Sequence, residues 1–395
     1  MAAEPKSNGL ASSASQLEPL PPVGAIDDDV VELPSWRKWV ILFVVCWMPL
    51  PMTFWSTAIM PATVEIASGF GVSTTSINTA NAGVFVAMAL SGLIWLPIST
   101  IIGRRTAYLV ANALLSPLVG SVIATFTSWR VIYGVEAGMS MIGLILTYFF
   151  VPRASEIGNP KAVEATPPTT RKEIIGAFNP MNVFCQFAYP RILLANLTCG
   201  LLSFNQYGLL STVRHIINPR FDLSSPLESG LFYLAPGAGF LIGSTIGGKI
   251  SDQMVKTYIR KRNGVRLPED RLNSSLPAIL IVLPFGTLLY GWSVSNKVGG
   301  MGLPIAASFI QGVGLMGSFS GLNTYAAEAR PAFRTAIISG KYVAQYSFAA
   351  GSVGGVVPMI DGIGVGWAFT VTAGAAIIGG VFVFIIARLS KSWKH

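Results

Sequence analysis

The sequence predicts an all-α protein that crosses a membrane many times. Three observations carry this: an excess of apolar residues, their grouping into runs of spanning length, and the sorting of basic charge between the segments that join those runs. Hydrophobic residues make up 52% of the 395 and charged residues only 11%, with a mean hydropathy of +0.58. A soluble domain carries about 25% charged residues, so the excess has to face lipid. A hydrocarbon core about 30 Å thick takes roughly 20 residues of helix to cross. Ten such runs stand near residues 39–64, 77–102, 106–125, 131–151, 192–212, 230–250, 276–294, 302–327, 336–360 and 367–387. Glycine and proline recur in them, which spanning helices tolerate when neighbours re-satisfy the freed backbone groups.

The net charge of +9 is a topology signal, not a nucleic-acid footprint. Lys and Arg accumulate on the cytoplasmic side of membrane proteins. Threading ten spans from a cytoplasmic N-terminus leaves only Arg130, Arg214, Arg220 and Lys297 of the 27 basic residues outside, with Lys341 counted at the inner end of its span. A wrong span parity would invert every later loop and destroy that sorting. Both termini are therefore expected in the cytoplasm. Residues 1–35 are polar, with Asp27, Asp28 and Asp29, and read as a disordered tail with no cleavable leader, the first span acting as its own insertion signal. Next come an N-terminal bundle over 36–151, a hydrophilic linker over 152–190, a six-helix bundle over 191–388 and a short tail over 389–395. Cys46 and Cys199 fall in spans and Cys185 in a cytoplasmic segment, which implies no disulfide framework.

The two halves carry a weak repeat. Ile102-Gly103-Arg104-Arg105 follows the second span, and Gly247-Gly248-Lys249-Ile250-Ser251-Asp252 follows the second span of the later half. Each reads as a tight cytoplasmic turn in which glycine lets two helices approach while charges meet carbonyls or a partner carboxylate. A gate latch and an ordinary basic turn fit that spacing equally. The segment 249–275 carries seven basic residues, including Arg260-Lys261-Arg262, and reads as a solvated inner loop.

These stretches resemble the major facilitator superfamily, in particular fungal members of its twelve-span drug:proton antiporter branch. The family signature Gly-x-x-x-Asp-Arg-x-Gly-Arg-Arg is matched at its end by Gly103-Arg104-Arg105, while Leu96 and Thr100 replace its glycine and acid. Gly248-x-x-x-Asp252 matches the second copy. Ser128-Trp129-Arg130, Asn218-Pro219-Arg220-Phe221, Ser229 to Gly237 and Arg262 to Leu272 are similar to fungal members as well. The resemblance implies a major-facilitator-like two-bundle fold. It also implies a gap, because the run ending at Phe126 passes straight into Ser128-Trp129-Arg130, which is similar to the entry of the family's sixth span. About ten spans, four plus six, would then stand in place of twelve, with spans four and five missing. The missing region would hold the family's span-four arginine and its span-five antiporter signature.

Polar side chains inside spans need a partner or a cavity. Asn78 and Asn81 share a helix face with Phe85, and Tyr342, Gln345 and Tyr346 make a second stripe. Asn205, Gln206 and Tyr207, then Gln311, Asn323 and Tyr325, complete a lining suited to an amphipathic organic solute. Any single amide fits interhelical hydrogen bonding as well; the set favours a cavity. Glu136, well inside its span, is the candidate for proton coupling. Glu65 and Asp361 stand at outer span ends, and Glu328 at an inner end with Arg330 and Arg334. The expected function is transport of small organic molecules, of the drug or metabolite efflux type, by alternating access, with proton coupling left open. The alternative is a truncated inactive or regulatory remnant of such a transporter. An integral-membrane enzyme is disfavoured, since His215 and His395 are the only histidines and no metal or nucleophile motif accompanies them. The expected partners are a small-molecule substrate and the bilayer, with no cofactor, metal or nucleic acid. The expected site is the plasma membrane, with a vacuolar or other internal membrane as the alternative.

Overall fold

A computed structural model describes residues 34–47, 60, 62–101, 131–150, 181–222, 232–264 and 266–389. In chain order the helices are α1 (Ser35–Trp47), α2 (Thr63–Phe70), α3 (Thr74–Ile101), α4 (Val131–Phe150), α5 (Met181–Phe184) with a 3-10 turn to Ala188, and α6 (Pro190–Phe221). They continue with α7 (Leu234–Lys261), α8 (Asp270–Pro277), a π-turn (Ala278–Val282), α9 (Leu283–Ser295), α10 (Gly302–Glu328), α11 (Arg334–Ile363) and α12 (Val365–Leu389). The described residues contain helices and turns and no strand. Nine of the ten expected runs coincide at least in part with these helices; the third, 106–125, lies outside the described residues.

Among the described residues five helices are long and apolar enough to cross a membrane, at Thr74–Leu93, Asp270–Ser295, Gly302–Glu328, Arg334–Ile363 and Val365–Arg388. The bent pair Met181–Ala188 and Pro190–Phe221, meeting at 106°, brings the number to six if it is counted as one broken span. α7 is not among them because glycine, proline, serine and threonine dilute the leucine, phenylalanine and isoleucine of its first half and charged residues from Lys249 onward fill its second. The small residues serve packing: a β-carbon added at Gly243 would stand 2.5 Å from the carbonyl oxygen of Val313, and one at Gly312 would stand 2.6 Å from that of Pro236. α7 and α10 therefore touch backbone to backbone, as small residues allow inside membranes.

α6, α9, α11 and α12 surround one apolar core that includes Leu209, Val213, Ile217, Tyr290, Val353, Val356 and Phe369, joined by Phe85 and Met88 of α3. A second core, with Leu202, Leu272, Ile279, Leu283, Leu315, Leu322, Val383 and Ile386, lies toward the ends that carry the basic residues. The outward surface is apolar: Leu241 is 72% exposed, Ile281 67% and Phe384 48%, as side chains facing lipid tails should be. At the opposite end Trp292 and Trp367 meet edge to face at 5.7 Å, the position aromatic side chains favour at a membrane interface.

Two expectations are corrected here. The segment Gly247 to Asp252 is not a turn, because α7 runs through it to Lys261. Ser251 and Val255 are buried, so the extension has a packed face that keeps the helix going. The segment 249–275 is accordingly not a long solvated loop: only Arg262 to Glu269 separates α7 from α8, and its charges are paired.

Candidate functional site at the seam between the halves

α3 lies antiparallel along α11. Near one end a β-carbon at Gly354 would stand 3.5 Å from that of Ala82, and near the other a β-carbon at Gly92 would stand 3.8 Å from that of Tyr342. The Ser339 hydroxyl donates to the Gly92 carbonyl at 3.1 Å. Small residues at both ends let the helices approach closely, and bulkier ones fill the stretch between. Phe85, fully buried on α3, meets Tyr207 of α6 edge to face at 4.6 Å and Tyr346 of α11 at 6.4 Å. Tyr346 in turn stacks on Tyr342 at 5.9 Å, one helical turn away. Asn78 and Asn81 are buried on the same face of α3, and the Asn81 Oδ1 atom has no hydrogen-bond partner. The seam is thus a packed aromatic cluster beside α3 amides, one of which leaves its oxygen without a partner. Gln206 and Gln345 are partly buried on α6 and α11.

The other amides sit elsewhere. Gln311 donates through Nε2 to Asn205 Oδ1 at 2.9 Å, and Asn205 Nδ2 donates to Thr287 Oγ1 at 3.1 Å. All three are buried, tying α10, α6 and α9 together inside the later bundle. Tyr325 is buried on α10, and Asn323 is exposed there and accepts from Lys341.

At the basic end a chain of ion pairs links α7, α8 and α10. Asp252 accepts from Arg271 at 3.0 Å, the Arg271 Nε lies 3.4 Å from Glu328 Oε1, and Arg266 donates to that same oxygen at 2.6 Å. Arg262 holds Asp270, which is 1% exposed, through both carboxylate oxygens at 2.7 and 2.8 Å, and the Leu267 N–H also donates to it. Buried charges of this kind persist where every lone pair finds a donor. Glu328 thus pairs with Arg266 and Arg271, while the neighbouring Arg330 lies over the rings of Tyr189 and Phe333 at 4.0 and 4.6 Å. Asp252 belongs to this network and Gly248 lies a turn before it on α7. Gly103, Arg104 and Arg105 lie outside the described residues, and so do the side chains of Glu136 and Glu65. At the opposite end His215 of α6 and Asp361 of α11 meet at 3.0 Å.

Sequence reasoning missed Thr287, Arg266, Arg271 and the buried Lys341. For Lys341 the signal is a lone cation inside an apolar run; for the arginines no local pattern reveals their partners. Among the described residues no group of three or more His, Cys, Asp or Glu side chains converges to hold a metal ion.

A helical bundle with a polar seam between two sets of spans is the architecture on which comparison with known proteins bears. The sequence profile of the Major Facilitator Superfamily matches residues 111–355. The chain belongs to the Major Facilitator Superfamily. Quinidine resistance protein 3 of Saccharomyces cerevisiae is 24% identical over 238 residues, covering 60% of this chain and 34% of that protein. The MFS-type transporter penM of Penicillium rubens is 28% identical over 157 residues, covering 40% of this chain and 30% of that protein. The matched chain thus spans about a third of these relatives' length. The xylose transporter XylE from E. coli, in a partially occluded inward-open conformation, superposes with a TM-score of 0.61 at 12% identity, over 89% of this chain and 98% of that one, which speaks to the fold alone. The likeness to fungal drug-resistance transporters agrees with the branch the motifs resemble.

Proposed function

We propose that the chain is a transporter of small amphipathic organic molecules, working by alternating access at the seam where α3 meets α6 and α11. The observation that carries this is the seam itself: Phe85, Tyr207, Tyr342 and Tyr346 form a continuous aromatic cluster joining α3 to α6 and α11, and the same face of α3 carries a buried amide oxygen on Asn81 with no partner. Aromatic rings bind organic solutes by area and edge geometry without demanding one shape, and a few polar atoms then fix orientation. Major-facilitator sites lie between the two bundles, which rock about a fixed midplane site. In this reading the bundles are residues 36–151 and 191–388, the basic end is cytoplasmic, and the ion pairs around Arg271 hold the second bundle rigid while it moves. Efflux of a drug or metabolite is the form of this activity proposed here, in keeping with the resistance that names Quinidine resistance protein 3, and the plasma membrane is its proposed site. Proton coupling would fall to Glu136.

Purified chain reconstituted into two sets of vesicles, one loaded with rhodamine 6G and one with fluorescein, tests the proposal. Release of at least one dye faster than from protein-free vesicles, reduced by Tyr346→Ala, is the expected result; release of neither faster than from protein-free vesicles rejects transport and leaves the remnant reading.

A further inference from the structure

Lys341 is a charge that the proposed route does not use. It is the eighth residue of α11, about 10 Å along the helix from Arg334 at 1.5 Å per residue. It is 6% exposed, and among the described residues no carboxylate lies within ion-pair distance of it. Its ammonium donates to Asn323 Oδ1 at 3.0 Å and sits 3.9 Å from the centre of the Tyr342 ring. Both partners are neutral. An ammonium has three donors, and a buried cation is costly until an anion meets it. Beside it stands a second unmet demand: Asn196 of α6 is 1% exposed, and neither its amide nitrogen nor its oxygen has a hydrogen-bond partner. That nitrogen lies 3.2 Å from where a β-carbon on Gly340 would stand, one residue before Lys341. Asn323 is exposed, so one partner of the ammonium stands at the surface of the helix bundle.

We propose that Lys341, with Asn196 and Asn323, is a binding point for the anionic group of the transported solute, which makes the substrate an aromatic organic acid. This rests on the seam being the solute route. Tyr342 joins the two parts: one face carries the Lys341 ammonium and the stack onto Tyr346 leads to Phe85. A carboxylate at Lys341 would place an attached ring system along that tyrosine ladder. An ion pair to the cation and a hydrogen bond from the Asn196 amide nitrogen would satisfy both of these donors at once. A cation at the same place would meet Lys341 with like charge.

Two xanthene dyes of similar skeleton and opposite charge separate the possibilities: fluorescein, an anion, and rhodamine 6G, a cation. Each is titrated against the purified full chain in an uncharged detergent, and bound dye is read by fluorescence polarisation. Fluorescein is expected to bind at least tenfold more tightly than rhodamine 6G. Lys341→Met should remove that preference and leave rhodamine 6G binding intact or stronger, which also shows that the variant is folded. Lys341→Arg should keep it, and Lys256→Met, which removes an exposed charge on α7, should leave both affinities unchanged. Equal fluorescein affinity in the wild type and Lys341→Met overturns the anion site while the seam stands. A wild type that binds neither dye removes the seam reading, and the anion site with it.

Discussion

Gln311 donates to Asn205 and Asn205 bonds in turn to Thr287, so both amides are tied into the later bundle, whereas the Asn81 side chain leaves its oxygen with no partner, as Gln311 leaves its Oε1. Removing one member of the buried trio leaves polar atoms orphaned, at a cost of about 1–2 kcal/mol for hydrogen bonds within membranes. Gln311→Leu is therefore expected to lower the unfolding temperature in detergent while leaving the pattern of bound dyes unchanged. Tyr346→Ala is expected to do the reverse, since it removes a ring from the wall between Phe85 and Tyr342 without breaking a described hydrogen bond. Its effect should show as changed preference across a compound panel, with Tyr346→Phe retaining the wild-type pattern. Both residues are legible in the sequence as polar or aromatic interruptions of apolar runs. Which neighbour each one faces is not, because helical periodicity fixes a residue's face on its own helix and says nothing of the helix opposite.

At the level of elements the ion-pair chain explains why so basic a connection is short and folded. Arg271 alone joins Asp252 of α7 to Glu328 of α10, and Glu328 keeps a second partner in Arg266. Exposed pairs are worth little, but these converge on partly buried groups in a network. Arg271→Ala should loosen the turn between α7 and α8, measured as faster trypsin cleavage after Lys261, Arg262 or Arg266 in inside-out vesicles; an unchanged cleavage rate would show the pairs to be incidental. The contact between α7 and α10 is less forgiving. Gly243→Val would drive a β-carbon against the Val313 carbonyl, and because the neighbour is backbone it cannot rotate away. Overpacking of that sort costs at least about 1–3 kcal/mol, so the variant is expected to elute as aggregate in size-exclusion chromatography. Both features lie beyond local sequence reading for one reason: Asp252 and Arg271 are 19 residues apart and Arg266 and Glu328 are 62 apart, so nothing nearby announces the pairing. The Gly248-x-x-x-Asp252 motif signals the network, while the continuity of α7 through it depends on Ser251 and Val255 finding cover.

For the whole molecule, hydropathy goes far because lipid imposes two demands at once, apolar length and internally satisfied backbone. Helix positions follow from them; the closeness of α3 to α11 does not, since it depends on Gly92, Ala82 and Gly354 being small where the helices cross. If two spans are absent after Phe126, restoring them should raise the flux of this chain, because in a six-helix bundle the fourth and fifth helices help wall the central cavity. The central claim is that the seam of α3 and α11 must open for a solute to pass, and a disulfide across it tests that most directly. Ala82 and Gly354 have β-carbon positions 3.5 Å apart, within the range that a disulfide bridges. In a chain with Cys46, Cys185 and Cys199 replaced by serine, Ala82→Cys with Gly354→Cys is oxidised in vesicles and fluorescein flux is followed before and after reduction. The account predicts that flux stops on oxidation and returns on reduction; equal flux from the cross-linked and reduced chains would contradict it.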